Sequence, residues 1–178
     1  MTDRLEISKR LAEWAELAGY TLTPGSRSGD GRAIFTAALG EIRLLIGLNQ
    51  DRWIVITDSD RMGPEHFILA APSMTVIERY LFGRFGLAIR NQRDLPRVQV
   101  PVSAEKISSQ FRLESRPFEG AEHWTLIGPD QSTVAVGSTD RVTGTAELVK
   151  LSLFVTATID EITSSAVDPG GKPLFQRR

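Results

Sequence analysis

The chain has 178 residues, with 21 Lys and Arg against 22 Asp and Glu, two His and no Cys. An apolar share of 41% and a charged share of 24% suit one globular domain, 1–178, able to bury a core without metals or disulfides. The lack of cysteine excludes disulfide frameworks, thiolate metal sites and cysteine nucleophiles, and a net charge of -1 argues against a dedicated nucleic-acid binder.

Apolar Ile7, Leu11, Trp14, Ala15 and Ala18 recur at helical spacing and predict a helix from about Arg4 to Ala18, stopped by Gly19. Three strand-like runs follow, Ala33–Leu39, Glu41–Gly47 and Trp53–Thr57, separated by Gly40 and by the turn-forming Asn49, Gln50 and Asp51. That spacing predicts an antiparallel meander. Asp58–Glu65 reads as a loop, Phe67–Ala71 as a buried run, and Ser73 as the N-cap of a helix from Met74 to about Phe85. Arg90–Pro101 reads as a polar connector.

The second half carries strand-like segments at Phe111–Glu114, Trp124–Ile127 and Thr133–Gly137. Helical patterns near Ala146–Phe154 and Thr158–Val167 read as a packed αα-hairpin. Residues 168–178 form a tail rich in Pro and Gly, whose Leu174 and Phe175 are expected to pack back on the domain. The class is therefore α+β, a single domain with a largely antiparallel sheet, flanking helices and a C-terminal helical pair. Core positions are expected at Trp14, Ile34, Ile42, Leu44, Trp53, Val55, Ile77, Leu81, Leu126, Val134, Leu148 and Leu151.

Chemistry is sparse. His66 and His123 lack neighbours at metal-ligand spacing, and no phosphate-binding glycine loop or nucleophile elbow occurs. Asp58 and Asp60 form an isolated pair after a strand and read as turn formers pairing locally with Arg61. Arg79, Arg84, Arg90, Arg93 and Arg97 are the densest basic cluster. Lying beside Tyr80, Phe82 and Phe85, it has the composition of a protein interface as readily as that of a solvated surface. The region 147–162 resembles a helix-turn-helix only superficially, because its second helix offers Thr158, Asp160, Glu161 and Thr163 where base readers carry Arg, Lys, Asn or Gln. The first nine residues lack the apolar core of a secretory signal, and about 18 apolar residues nowhere run together; a cytoplasmic location with no membrane partner is expected.

Several strings together point further. WIVIT at Trp53–Thr57, DSDRM at Asp58–Met62 and APSMTVIERYLFGRFG at Ala71–Gly86 resemble the bacterial immunity-protein family that includes the immunity factor for tuberculosis necrotizing toxin. The resemblance continues through Asp94–Pro96, Asp140–Arg141 and Gly171–Phe175, in the same order. It implies an antitoxin that binds a cognate toxin domain, an NAD(+) glycohydrolase in the named case, and blocks its active site. Such a protein is not an enzyme and needs no cofactor or metal. Its needs are a rigid surface, buried anchors and complementary charge. Asp60, Arg61, Arg84 and Arg90 are the candidate toxin-binding residues, with carboxylates facing basic groups of the toxin and arginines facing acidic ones. A non-inhibitory adaptor or chaperone-like module is the alternative.

Overall fold

The computed structural model describes residues 5–178. The first helix, α1, spans Lys9–Leu17; the expected start at Arg4 lies outside the described residues. Helix begins at Lys9 because Ser8 caps it, its hydroxyl accepting from the Leu11 amide at 3.2 Å. Ile7 therefore precedes the helix. At the other end Gly19 takes φ +88°, the left-handed conformation that stops a helix.

Five strands follow as a meander: β1 Thr21–Thr23, β2 Ala33–Ala37, β3 Ile42–Leu48, β4 Ile54–Asp60 and β5 His66–Ala71. After helix α2, Met74–Gln92, and the short strand β6, Val98–Gln99, a second meander comprises β7 Arg112–Phe118, β8 Ala121–Ile127 and β9 Thr133–Gly137. The two meanders join through β5 and β9, giving an eight-stranded antiparallel sheet in the order β1-β2-β3-β4-β5-β9-β8-β7. The seam is short, pairing only Leu69 with Gly137 and Ala70 with Val136.

Helices α3, Arg141–Val155, and α4, Ile159–Val167, complete the fold, with β10, Gln176–Arg177, returning to pair with β6. The register places Ile46, Ile56 and Leu69 side by side on one sheet face, where they join a core with Ile77, Leu81 and Phe85 of α2 and Leu148 and Leu151 of α3. On the opposite face the sheet's own far end folds back over β4 and β5. Phe118, at the end of β7, lies 5.1 Å from the Trp53 ring and 6.1 Å from Phe67, although β7 and β4 stand four places apart in the sheet. Aromatic contact across that face substitutes for a second helical layer.

Several elements are longer than their sequence patterns. Helix α2 runs two turns past Phe85 and includes Gly83 and Gly86. A Cβ on Gly83 would stand 2.4 Å from the Phe154 ring, and one on Gly86 2.9 Å from the Ala166 Cβ, so glycine is what lets α3 and α4 approach α2. Helix α3 starts five residues before the expected Ala146, because Asp140 caps it through the Thr143 amide at 2.7 Å. The expected αα-hairpin is a splayed pair: α3 and α4 turn through 110°, and α2 is the main helical partner of each. Among the described residues, no single helix is long and apolar enough to cross a membrane.

Leu44, Ile77, Leu81, Leu126, Leu148 and Leu151 are buried as expected. Trp14, Ile34, Trp53, Val55 and Val134 are half-buried, and Ile42, the first residue of β3 beside the hairpin tips, is 40% exposed. The tail does pack back: Phe175 is buried and stacks edge-on against Phe154 at 6.2 Å.

Candidate functional site

Asp58, Ser59 and Asp60 continue β4 rather than opening a loop, so the hairpin to β5 is longer and tighter than its composition implies. Asp60 closes the turn by accepting the Gly63 amide at 2.8 Å, with Arg61 and Met62 at φ 50° and 59°. Two successive left-handed residues give the type I′ shape whose twist matches a hairpin. Asp58 pairs with His66 at 3.5 Å, while the Arg61 amide donates to the Glu41 carbonyl at 2.7 Å; the expected local pairing of both aspartates with Arg61 is replaced by these contacts. Asp60 and Arg61 stand exposed at the hairpin tip.

The base of the same hairpin borders a cleft of about 850 Å³. It opens where the first half of β5 extends beyond its short pairing with β9, and the β9–α3 turn and the β7–β8 hairpin tip supply its other walls. Asp58, Glu65, Glu119, Asp140 and Glu147 line it against a single guanidinium, Arg84. Some of that charge is already held. Arg32 donates to both Glu65 oxygens at 2.6 and 3.2 Å, and with the Thr57 hydroxyl it keeps the Glu65 carboxyl below its ordinary range. Asp140 is committed to the α3 cap, whose Thr143 amide and hydroxyl hold it in the charged form.

Arg84 belongs to a relay between α2 and α3. Its Nη1 donates to the Tyr80 hydroxyl at 3.1 Å, that hydroxyl donates to Glu147 Oε2 at 2.6 Å, and Lys150 Nζ donates to Glu147 Oε1 at 2.8 Å. Burial pushes the Tyr80 phenol up, which keeps it a protonated donor. Burial alone would raise Glu147 as well, but the Lys150 ammonium and these hydrogen bonds hold it lowered and charged. Arg84 thus presents a fixed positive group on the cleft wall.

Arg90 is elsewhere. Its side chain is 3% exposed and inserted at the end of α4. Nη1 donates to the carbonyls of Ser165 at 3.1 Å, Ala166 at 3.2 Å and Asp168, and Nη2 to those of Pro96 at 2.6 Å and Pro169 at 3.1 Å. A planar fork with several donors suits a cage of carbonyls gathered from a helix end and the turns beside it. The expectation of a surface contact at Arg90 is corrected by this burial, since every acceptor it reaches is the chain's own backbone. Arg79 behaves alike, its Nε donating to the Ala157 carbonyl beyond α3 at 2.9 Å. Close in sequence, these three arginines are turned by helical periodicity to different partners.

The structure therefore brings Asp60 and Arg61 together at a hairpin tip, sets Arg84 in the adjoining cleft and places Arg90 in the interior. The residues of the cleft missed in the sequence, Glu119, Asp140 and Glu147, are spread over separate elements and share no local spacing. Residues 14–174 match the model of the family described as immunity protein 61.

The chain belongs to the immunity protein 61 family.

It is 38% identical over 178 residues to the "Immunity factor for TNT" of Mycobacterium tuberculosis (strain ATCC 25618 / H37Rv), covering 98% of this chain and 96% of that relative. The "Immunity factor for TNT homolog" of Mycobacterium bovis (strain BCG / Pasteur 1173P2) agrees to the same extent. A solved structure described as "Rv3902c from M. tuberculosis" superposes with a TM-score of 0.89 at 36% identity, covering 99% of this chain and 98% of that one. Membership of an immunity family gives this chain an immunity role.

Proposed function

We propose that this immunity protein is an antitoxin that binds a toxin domain with NAD(+) glycohydrolase activity and blocks its active site at one-to-one stoichiometry. The observation carrying the reading is near-full-length similarity to relatives named as immunity factors for TNT, with a matching fold. The protein acts in the cytoplasm as a single domain without turnover of its own and without cofactor, nucleic-acid or membrane partner. Physical support comes from two features. The projecting tip of the β4–β5 hairpin carries an exposed carboxylate, Asp60, the charge complement of a site that must accept a pyrophosphate. The exposed part of α4 carries Asp160 and Glu161, which repel a nucleic-acid backbone.

Asp60, Arg61 and Arg84 are the proposed toxin contacts, while Arg90, buried among backbone carbonyls, has a structural role. The test is NAD(+) hydrolysis by the toxin domain encoded beside this gene, titrated with the purified protein and followed by size-exclusion chromatography. Activity is expected to reach zero near one equivalent, with co-elution. Charge reversal by Asp60→Lys or Arg61→Glu is expected to weaken inhibition by about tenfold or more. Co-elution with undiminished activity would replace inhibition by a simple binding role.

A further inference from the structure

The β2–β3 hairpin ends in three consecutive left-handed residues, Ala38, Leu39 and Gly40, at φ 51°, 57° and 92°. Beside it, the β4–β5 hairpin turns through Arg61 and Met62, also left-handed. The two tips are joined by the Arg61 amide on the Glu41 carbonyl and by the pairing of Ile42 with Asp60. Four of these left-handed residues carry a Cβ, which conflicts with that conformation, and hairpin turns of this shape ordinarily take Asn or Gly. Two of the four are large apolar side chains held in solvent: Leu39 is 108% exposed and Met62 75%, with Ile42 between them at 40%. Backbone strain together with exposed apolar surface opposes stability, which is the pattern expected where the tips serve a partner.

We infer that Leu39 and Met62 are the apolar anchors that enter the concave substrate site of the toxin. The inference rests on the antitoxin reading above and adds the contact surface to it. Shape decides the occupant. A substrate site is a concave, largely apolar pocket with few polar groups, so its blocker must be convex there. The acidic cleft of this chain is itself concave and cannot fill another concavity. The hairpin tips project, are apolar at their ends, and carry exposed charges of both signs beside them, Asp60 and Glu41 to meet the basic groups of a pyrophosphate-binding pocket and Arg61 to meet an acidic one.

The test uses Leu39→Gly, Met62→Gly and the double variant, with Val102→Ser as a control at an apolar residue 48% exposed in a separate loop. Glycine removes the anchor and relieves the strain at once. Inhibition of the toxin domain's NAD(+) hydrolysis is expected to weaken by about 30-fold for each single variant and more for the double. The midpoint of thermal unfolding is expected to stay level or rise in the same proteins, and Val102→Ser to inhibit normally. Normal inhibition by the double variant overturns the anchor assignment while leaving the antitoxin reading intact. Weakened inhibition accompanied by a lowered unfolding midpoint overturns it too, because the residues are then structural. Failure of the unsubstituted protein to inhibit or bind the toxin domain overturns the antitoxin reading, and the anchors fall with it.

Discussion

Replacing Arg90 separates an internal brace from a partner contact. Arg90→Ala removes the guanidinium from five carbonyls, those of Ser165, Ala166, Asp168, Pro169 and Pro96, of which Asp168 keeps the Gly171 amide as a donor at 2.9 Å. Each buried acceptor left unpaired costs about 1–3 kcal/mol. Water entering the space reaches those near the tail, where Pro169 is exposed, and part of the loss is offset because a charge no longer has to be buried. The net expectation is about 3–5 kcal/mol of destabilisation. With a urea slope of about 2 kcal/mol/M for a chain of this size, the unfolding midpoint falls by about 2 M. Arg90→Lys retains the charge but not the planar fork, and loses about half as much. Equilibrium urea unfolding followed by far-ultraviolet circular dichroism measures both. A change below about 1 kcal/mol in Arg90→Ala would refute the brace. If toxin inhibition also collapsed in that stable variant, Arg90 would be a contact after all.

Gly83→Ala is expected to destabilise by about 1–3 kcal/mol despite alanine's better helix propensity, because the new methyl would press on the enclosed Phe154 ring; thermal unfolding decides. Gly29→Ala, with open space around its Cβ position, is expected to hold or raise stability by up to about 1 kcal/mol in the same assay. Glu147→Gln breaks the Lys150 and Arg84 couplings and is expected to cost about 1–2 kcal/mol at pH 7. Because the folded-state pKa of Glu147 is lowered, its stabilisation is complete above the unfolded glutamate value, about 4.3, and is lost as pH falls through the lower folded value. The gap between Glu147→Gln and the unsubstituted protein should therefore narrow only in acid; a gap that stayed constant across a pH series of urea melts would contradict that assignment. Arg32→Ala should change stability by no more than about 1 kcal/mol, because its pairs with Asp30 and Glu65 are partly solvated; a loss above about 2 kcal/mol would show that it braces the sheet face over Gly47.

Local periodicity and turn chemistry determined much of this protein. The α+β class, the meander through β2–β4 and the cap at Ser73 follow from spacing and residue type, because those interactions act over a few residues, while the apolar Phe175 in a polar tail marked the return to the core without naming its partner, Phe154. Helix α2 was legible in its stripe but not in its length, since the approach of Phe154 and Ala166 that makes glycine favourable at positions 83 and 86 comes from chain 70 to 80 residues away. The ordered strings from Trp53 to Phe175 carried the family resemblance, and with it the immunity role. Tertiary structure alone decided what each arginine does. Arg79, Arg84 and Arg90 share a helix and a charge, yet one holds the Ala157 carbonyl, one holds Tyr80 at the cleft, and one is enclosed among carbonyls. It also set the hairpin tip carrying Leu39 beside the tip carrying Met62, 23 positions on in the chain, because strand register rather than sequence proximity brings two tips to one end of a sheet.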